Sequence, residues 1–297
     1  MKKDPSLQLS ASRFNPSEVA GKKVAIIGGT GGIGRALARE MATHGAHVTV
    51  VGQTFRDAGV PNIEFVQADL SLMHEARRVA SSLPAETLDL VIFTTGIFAA
   101  RKRQETLEGL ERDMAVSFLS RQVILQGIAH RLGVQLSKGH RKSRVFIMGY
   151  PGTGQAGTLG DLNSESAYSA MSAHMNTVAG NEMLVLDSAQ RYPNINTYGL
   201  NPGLIKTDIR INLLGGNKFL FALLEGLIGV FTPTAETYAR RIVPLMLNSQ
   251  INGFTGTLFN NKGQAIHPSA GLTGAHIRAF LTESRTLVER AVDSQVA

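Results

Sequence analysis

Apolar residues in this chain follow two alternating patterns. A short unbroken apolar run lies at 24–27, and short segments enriched in apolar and β-branched residues follow at 47–51, 63–67, 88–93, 145–148, 195–200 and 257–259. Runs of this length and branching predict strands buried on both faces. Between them apolar positions recur every three or four residues, as Ile33, Leu37 and Met41 do. That spacing predicts a first helix ending near His44-Gly45, then helices over 72–83, two within 106–137, 166–190 and 234–248. Strands alternating with helices throughout predict an α/β fold with a doubly wound parallel sheet of about seven strands. Residues 1–20 are polar, contain Pro5 and Pro16, and read as an N-terminal arm. Residues 21–297 read as a single domain, with no repeat and no internal linker.

The densest local signal lies between the first strand and the first helix. Gly28, Gly29, Gly31, Gly32 and Gly34 crowd into seven positions. Gly29, Gly31 and Gly34 fit G-x-G-x-x-G, while Gly28, Gly32 and Gly34 fit G-x-x-x-G-x-G, and spacing alone leaves both open. Strand, glycine turn and helix make an anion site, because the helix opens with unpaired N–H groups and the positive end of its dipole. Without Cβ atoms a pyrophosphate can approach the backbone closely. Gly28, Thr30, Gly31, Gly32, Ile33 and Gly34 are the candidate contacts. A dinucleotide site discriminates after its second strand, where an acid holds a ribose 2′-hydroxyl and a base accommodates a 2′-phosphate. Gln53 occupies the expected acidic position and Arg56 follows. NADP is therefore expected over NAD, with Arg56 as an ordinary exposed loop charge the competing reading.

Composition narrows the classes. With 43% hydrophobic residues the chain can build a sizeable core. Its longest apolar stretch, 219–231, is interrupted by Glu225 and too short to span a bilayer. No signal-peptide pattern follows Met1, and a cytoplasmic location is the default expectation. The chain has no cysteine, which excludes disulfides, thiolate metal sites and a cysteine nucleophile. His44 and His47 share no helical face and find no third ligand, so no metal site is expected. The net charge of +7 suits a phosphate-rich cofactor. The densest basic run, 138–144, carries no aromatic residue to stack on bases, and reads as a solvated loop rather than a nucleic-acid contact.

Five features in order across residues 20–265 make the chain resemble the short-chain dehydrogenase/reductases, which have a Rossmann fold. They are the glycine turn, Ala68-Asp69-Leu70 after the third strand, and Gly96 after the fourth. Tyr168-Ser169-Ala170 at a long helix and Pro202-Gly203 with Thr207 four residues on complete the set. The resemblance implies that Asp69, with Leu70, sits by the adenine ring. It puts Thr94, Thr95 and Gly96 by the adenosine ribose and Pro202, Gly203 and Thr207 by the nicotinamide. It also implies a catalytic Asn-Ser-Tyr-Lys group, from which this sequence departs. Tyr168 matches the tyrosine, Ser172 stands in the lysine position, Ser117 in the asparagine position and Gly149 in the serine position, with Thr153 a nearby hydroxyl. No Y-x-x-x-K occurs anywhere in the chain. Without the lysine charge Tyr168 should be a neutral phenol, able to donate a proton but poorly suited to accept one.

His174, six residues beyond Tyr168, would point off that helical face and reads as a packed or exposed histidine. Lys206 is the lysine that chain order puts near the crevice; it reads as an ordinary lid lysine or as a substitute charge. The stretch from about 207 to 233 corresponds to a substrate lid. Its apolarity suits a hydrophobic substrate, a membrane surface or a second copy in a homo-oligomer as well as a plain buried helix. Three functional readings follow. They are an NADP-dependent reductase of an apolar carbonyl or enone, a non-catalytic dinucleotide-binding sensor or scaffold, and a non-redox enzyme on the same fold.

Overall fold

The computed structural model describes residues 1–9, 15–136, 142–205 and 233–293. Lys206, Thr207 and the expected lid up to 232 lie outside the described residues, as does most of the basic run. The strands are β1 (Lys23–Ile27), β2 (His47–Gly52), β3 (Ile63–Gln67), β4 (Leu90–Phe93), β5 (Ser143–Met148), β6 (Ile195–Leu200), β7 (Leu258–Phe259) and β8 (Ala265–Ile266). They form one sheet of eight strands in the order β3-β2-β1-β4-β5-β6-β7-β8, parallel except for β8. The short antiparallel β8 is the strand beyond the seven expected.

Strand alternation decides which face each side chain feeds. From β1, Ala25 and Ile27 join one core cluster and Val24 and Ile26 the other. Val91 and Phe93 against Leu90 and Ile92 repeat this in β4, and Val145 and Ile147 against Phe146 and Met148 in β5. A strand apolar at every position is what a sheet covered on both faces requires. Helices α1 (Gly32–Thr43) and α6 (Ala235–Leu247) cover one face. Helices α2 (Met73–Ser82), α4 (Ser120–Ile128), α5 (Ala170–Arg191) and α7 (Gly274–Asp293) cover the other. Three residues of α3 (Arg112–Met114) and one π-helical turn, Ala115–Leu119, lead straight into α4.

Four local features depart from the sequence reading. The tip of the expected N-terminal arm is paired: Lys3 bridges Ile266, and the N–H of Asp4 donates to the Ala265 carbonyl at 2.9 Å. Arg144, in the run read as a solvated loop, is buried and donates to Asn252 Oδ1 and the Met246 carbonyl. Helix α5 starts at Ala170 rather than near Ser166, because the N–H groups of Glu165, Ser166 and Ala167 already donate to the Asp161 carboxylate. Ser169 caps the helix instead, its hydroxyl accepting from the Ser172 N–H. Helix α7 was not anticipated, although Ile277, Phe280, Leu281, Ser284, Leu287, Val288 and Ala291 bury one face at helical spacing.

Candidate active site

The strand order reverses direction between β1 and β4, which opens a crevice at the carboxyl ends of the strands. A cavity of about 840 Å³ occupies it. Gly28, Thr30, Gly31, Gly32, Ile33 and Gly34 line it from the first turn, Gln53 and Arg56 from the loop after β2, and Asp69 and Leu70 from the end of β3. Thr94, Thr95 and Gly96 continue the wall after β4, and Pro202 and Gly203 close it after β6.

The glycine turn divides its work. A Cβ on Gly34 would stand 2.4 Å from the Gly28 carbonyl oxygen and 2.4 Å from Thr94 Oγ1. Gly28, at φ +96°, would push one to 2.4 Å from the Thr95 nitrogen. These two let β1, α1 and the β4 turn close on each other. Gly31 is different: its nearest obstacle is Arg56 Nη1 at 3.5 Å, so the space in front of it belongs to the cavity. Thr95 Oγ1 is buried with no hydrogen-bond partner among the described residues. An uncrowded glycine at a helix N-terminus, a cation over it and an unpartnered hydroxyl fit a phosphate-bearing dinucleotide.

Asp69 Oδ1 accepts the Ser71 N–H at 2.9 Å. Burial opposes its ionisation, but hydrogen bonds from Ser71 and Gln53 hold its carboxyl below the usual carboxylate range. Asp57, the acid nearest Arg56, is turned away: it takes Arg35 Nη2 at 2.7 Å and Arg39 Nη1 at 2.8 Å. Among the described residues Arg56 has no ion-pair partner.

At the other end two polar stripes meet. Asp113, Ser117 and Arg121 recur every fourth residue along α3, the π turn and α4; His174, Thr177 and Asn181, three and four residues apart, share one face of α5. Asp113 is fully buried, and its carboxylate accepts from Ser117 Oγ and from His174 Nδ1, the latter at 2.7 Å. Asn181 donates to the Ser117 carbonyl at 2.8 Å and accepts from Arg121 Nη1 at 3.0 Å. Arg121 also donates to the Thr95 and Met148 carbonyls. Burial pulls its pKa down to about 9, against the Asp113 charge, which leaves it a cation at neutral pH. Ser117, Arg121, His174, Thr177 and Asn181 all line the cavity.

The expected catalytic residues fare unevenly. Ser117 is in the wall, where the Ile97 N–H donates to its hydroxyl at 3.0 Å. Tyr168 is not among the lining residues; it precedes α5, and its hydroxyl donates to the Ala100 carbonyl. Burial, then the charges of Glu111 and Asp113, push its phenol above the ordinary value. Ser172 is exposed on the first turn of α5 and also absent from the wall. Gly149 lines the cavity, but Thr153 is exposed and spends its hydroxyl on the Tyr150 carbonyl at 2.7 Å. His174 is packed, as the sequence reading had it, but it lines the cavity where a direction away from the site was expected. The helical-face argument measured it from Tyr168, and Tyr168 is outside the helix. The four-residue repeat of Asp113, Ser117 and Arg121 in an otherwise apolar stretch was the available signal for the opposing face. Among the described residues no helix is long and apolar enough to cross a membrane, and no three His, Asp or Glu side chains could hold a metal ion.

Comparison with known proteins matches this architecture. Residues 22–216 fit the family model for short chain dehydrogenases. The chain is 52% identical to a Saccharomyces cerevisiae protein named uncharacterized oxidoreductase YKL107W, over 99% of this chain and 96% of that one. It is 25% identical to human retinol dehydrogenase 14 over 90% and 86% of the two chains. Among solved structures, the ligand-free aldohexose dehydrogenase of Thermoplasma acidophilum shares its fold, with a TM-score of 0.60 at 16% identity over 82% of this chain and 93% of that one. With that sheet order, that glycine turn and a family match over most of its length, the chain belongs to the short-chain dehydrogenase family of oxidoreductases.

Proposed function

We propose that the chain is an NADP(H)-dependent reductase of an apolar carbonyl or enone compound. The observation that carries the cofactor choice is Arg56, close to Gly31 and without an ion-pair partner among the described residues, while Asp57 is committed to Arg35 and Arg39. A ribose diol would want a carboxylate after β2; Gln53 stands there instead, and a cation beside the phosphate turn suits a 2′-phosphate. Gly31 and Gly32 would receive the pyrophosphate, Asp69 would face the adenine, and Thr95 Oγ1 would gain a partner on the sugar. When bound, the nicotinamide supplies the reducing equivalents as hydride. Beside the polar stripes the wall carries an apolar set, Phe98, Met171, Met175, Val178, Leu204 and Ile205. Met171 and Leu204 stand 58% and 57% exposed at its mouth, a placement that favours an apolar substrate. The human relative is named for retinol, an apolar alcohol.

The positions of Tyr168 and Ser172 off the cavity wall support a second reading, a dinucleotide-binding protein without turnover. Two measurements separate the readings. Fluorescence titration should find NADPH bound more tightly than NADH, and equal affinities would refute the cofactor choice. NADPH consumption with a panel of apolar ketones, aldehydes and enones should then be observed; tight binding with no turnover across the panel favours the second reading.

A further inference from the structure

We propose that His174, held by Asp113, donates the proton to the substrate oxygen, in the place that the family resemblance gives to Tyr168; this rests on the reductase reading above. The imidazole lines the cavity and is 8% exposed. Its Nδ1 lies 2.7 Å from Asp113 Oδ2. A buried carboxylate only accepts, so Nδ1 carries a hydrogen and Nε2 is the nitrogen left for a ligand. Phe98 stacks on the ring at 4.1 Å between centroids and fixes its plane. Ser117 donates to the other oxygen of the same carboxylate. Serine and histidine therefore both hang from Asp113 rather than from each other, which rules against a serine nucleophile activated by His174. Arg121 from α4, Glu111 ahead of α3 and Tyr168 ahead of α5 are the other ionisable groups around Asp113. Tyr168 has given its hydroxyl to the Ala100 carbonyl.

The step balances as follows. The carbonyl carbon receives hydride from NADPH, which is oxidised to NADP⁺. The C=O π pair moves to oxygen, which takes the proton from Nε2 of the imidazolium. The N–H bond breaks, the O–H bond forms, and the ring is left neutral with its Nδ1 hydrogen still on Asp113. Water then returns a proton to Nε2. Asp113 is a positioning residue, holding the tautomer and the ring, and His174 is the catalytic residue.

NADPH binding to the wild-type protein is measured first; if there is none, the reductase reading falls and this assignment falls with it. The imidazole nitrogens are next followed by ¹⁵N NMR, with His174 identified by the signal lost in His174→Gln. The expected result is a neutral form protonated on Nδ1, His174 signals that move at saturating NADP⁺, and a change of tautomer in Asp113→Asn. Signals that stay still while NADP⁺ binds overturn the proposal, with or without a known substrate. In turnover, His174→Gln and His174→Asn should bind NADPH within about twofold of wild type and lose about 10²–10⁴-fold in kcat. Tyr168→Phe should stay within about twofold of wild type. Wild-type turnover in a folded His174→Gln, or its collapse in Tyr168→Phe, overturns the assignment while leaving the reductase reading in place.

Discussion

At the glycine-turn end of the cavity the wall is made of strand ends, the loops leaving them and the first turn of α1, whereas the His174 end is the meeting of two helix faces. The first kind of wall follows from the sheet. Once β1 pairs with β2 and β4, the registers Ile27 with Val51 and Ile27 with Phe93 put the three departing loops side by side. Each candidate contact from Gly28 to Gly96 is then carried to the cavity by backbone geometry alone. The second kind depends on where a helix begins and how it is rotated. Three N–H groups diverted to Asp161 precede the late start of α5, which leaves Tyr168 outside the helix, and the π turn contributes the Ser117 carbonyl that meets Asn181. A site can thus keep its ligand cradle and exchange its chemical groups, because the two halves rest on different parts of the fold.

The sharpest break between the halves is expected at Arg121. Arg121→Met leaves Asp113 without its nearby cation and the Thr95, Met148 and Asn181 acceptors without their donor. The expected loss is about 3–5 kcal/mol of stability, read by urea unfolding. A loss under about 1 kcal/mol would mean that the helix faces do not depend on this buried charge.

Next comes the glycine pair that tests the cradle. Gly34→Ala drives a methyl into the Gly28 carbonyl and Thr94, and should cost about 1–3 kcal/mol together with NADPH binding. Gly31→Ala meets nothing nearer than Arg56 Nη1 and sits on extended backbone at φ −157°. It should keep its stability within about 0.5 kcal/mol and lose affinity for NADPH, because the methyl enters the ligand's space. Equal stability loss in both variants would contradict the division of work in the turn.

Arg56→Ala should weaken NADPH by about 1–2 kcal/mol, roughly 5- to 30-fold, and leave NADH unchanged. Parallel loss for both cofactors would make Arg56 a general phosphate contact.

The smallest effect belongs to Tyr168. Its folded pKa lies above the ordinary 10.0, so the neutral form is favoured by folding. That contribution is complete below the unfolded value and is lost as the pH rises through the folded one. Ultraviolet titration of wild type against Tyr168→Phe should therefore show the missing phenol ionising above its usual range. Ionisation at or below that range would restore the phenol as a candidate acid.

Much of this was legible beforehand. Val24 to Ile27 could only be a doubly covered strand, and the glycines after it announced an anion turn whatever their register. Gln53 and Arg56 were picked out by position alone, and both line the cavity. The placement of His174 on the cavity wall was not legible, because helical periodicity counted from Tyr168 starts outside the helix, and the Asp161 carboxylate that ends the preceding loop is a non-local influence on it. Asp113 and Arg121 carried a polar periodicity that was visible but unassigned, since nothing along the chain says which helix faces which.

By itself, then, the sequence determined the alternation of strands and helices, the two-faced core, the glycine turn between β1 and α1 and the absence of the Tyr-Lys pair. Those depend on contacts within a few residues or on the period of a buried strand. Only the tertiary structure decided that Asp113 and His174 share a hydrogen bond 61 residues apart, that Asp57 is taken from Arg56, and that Arg121 is buried beneath the cavity. Such pairings depend on helix rotation and on competition among distant polar groups for the same partners, and local periodicity does not encode either.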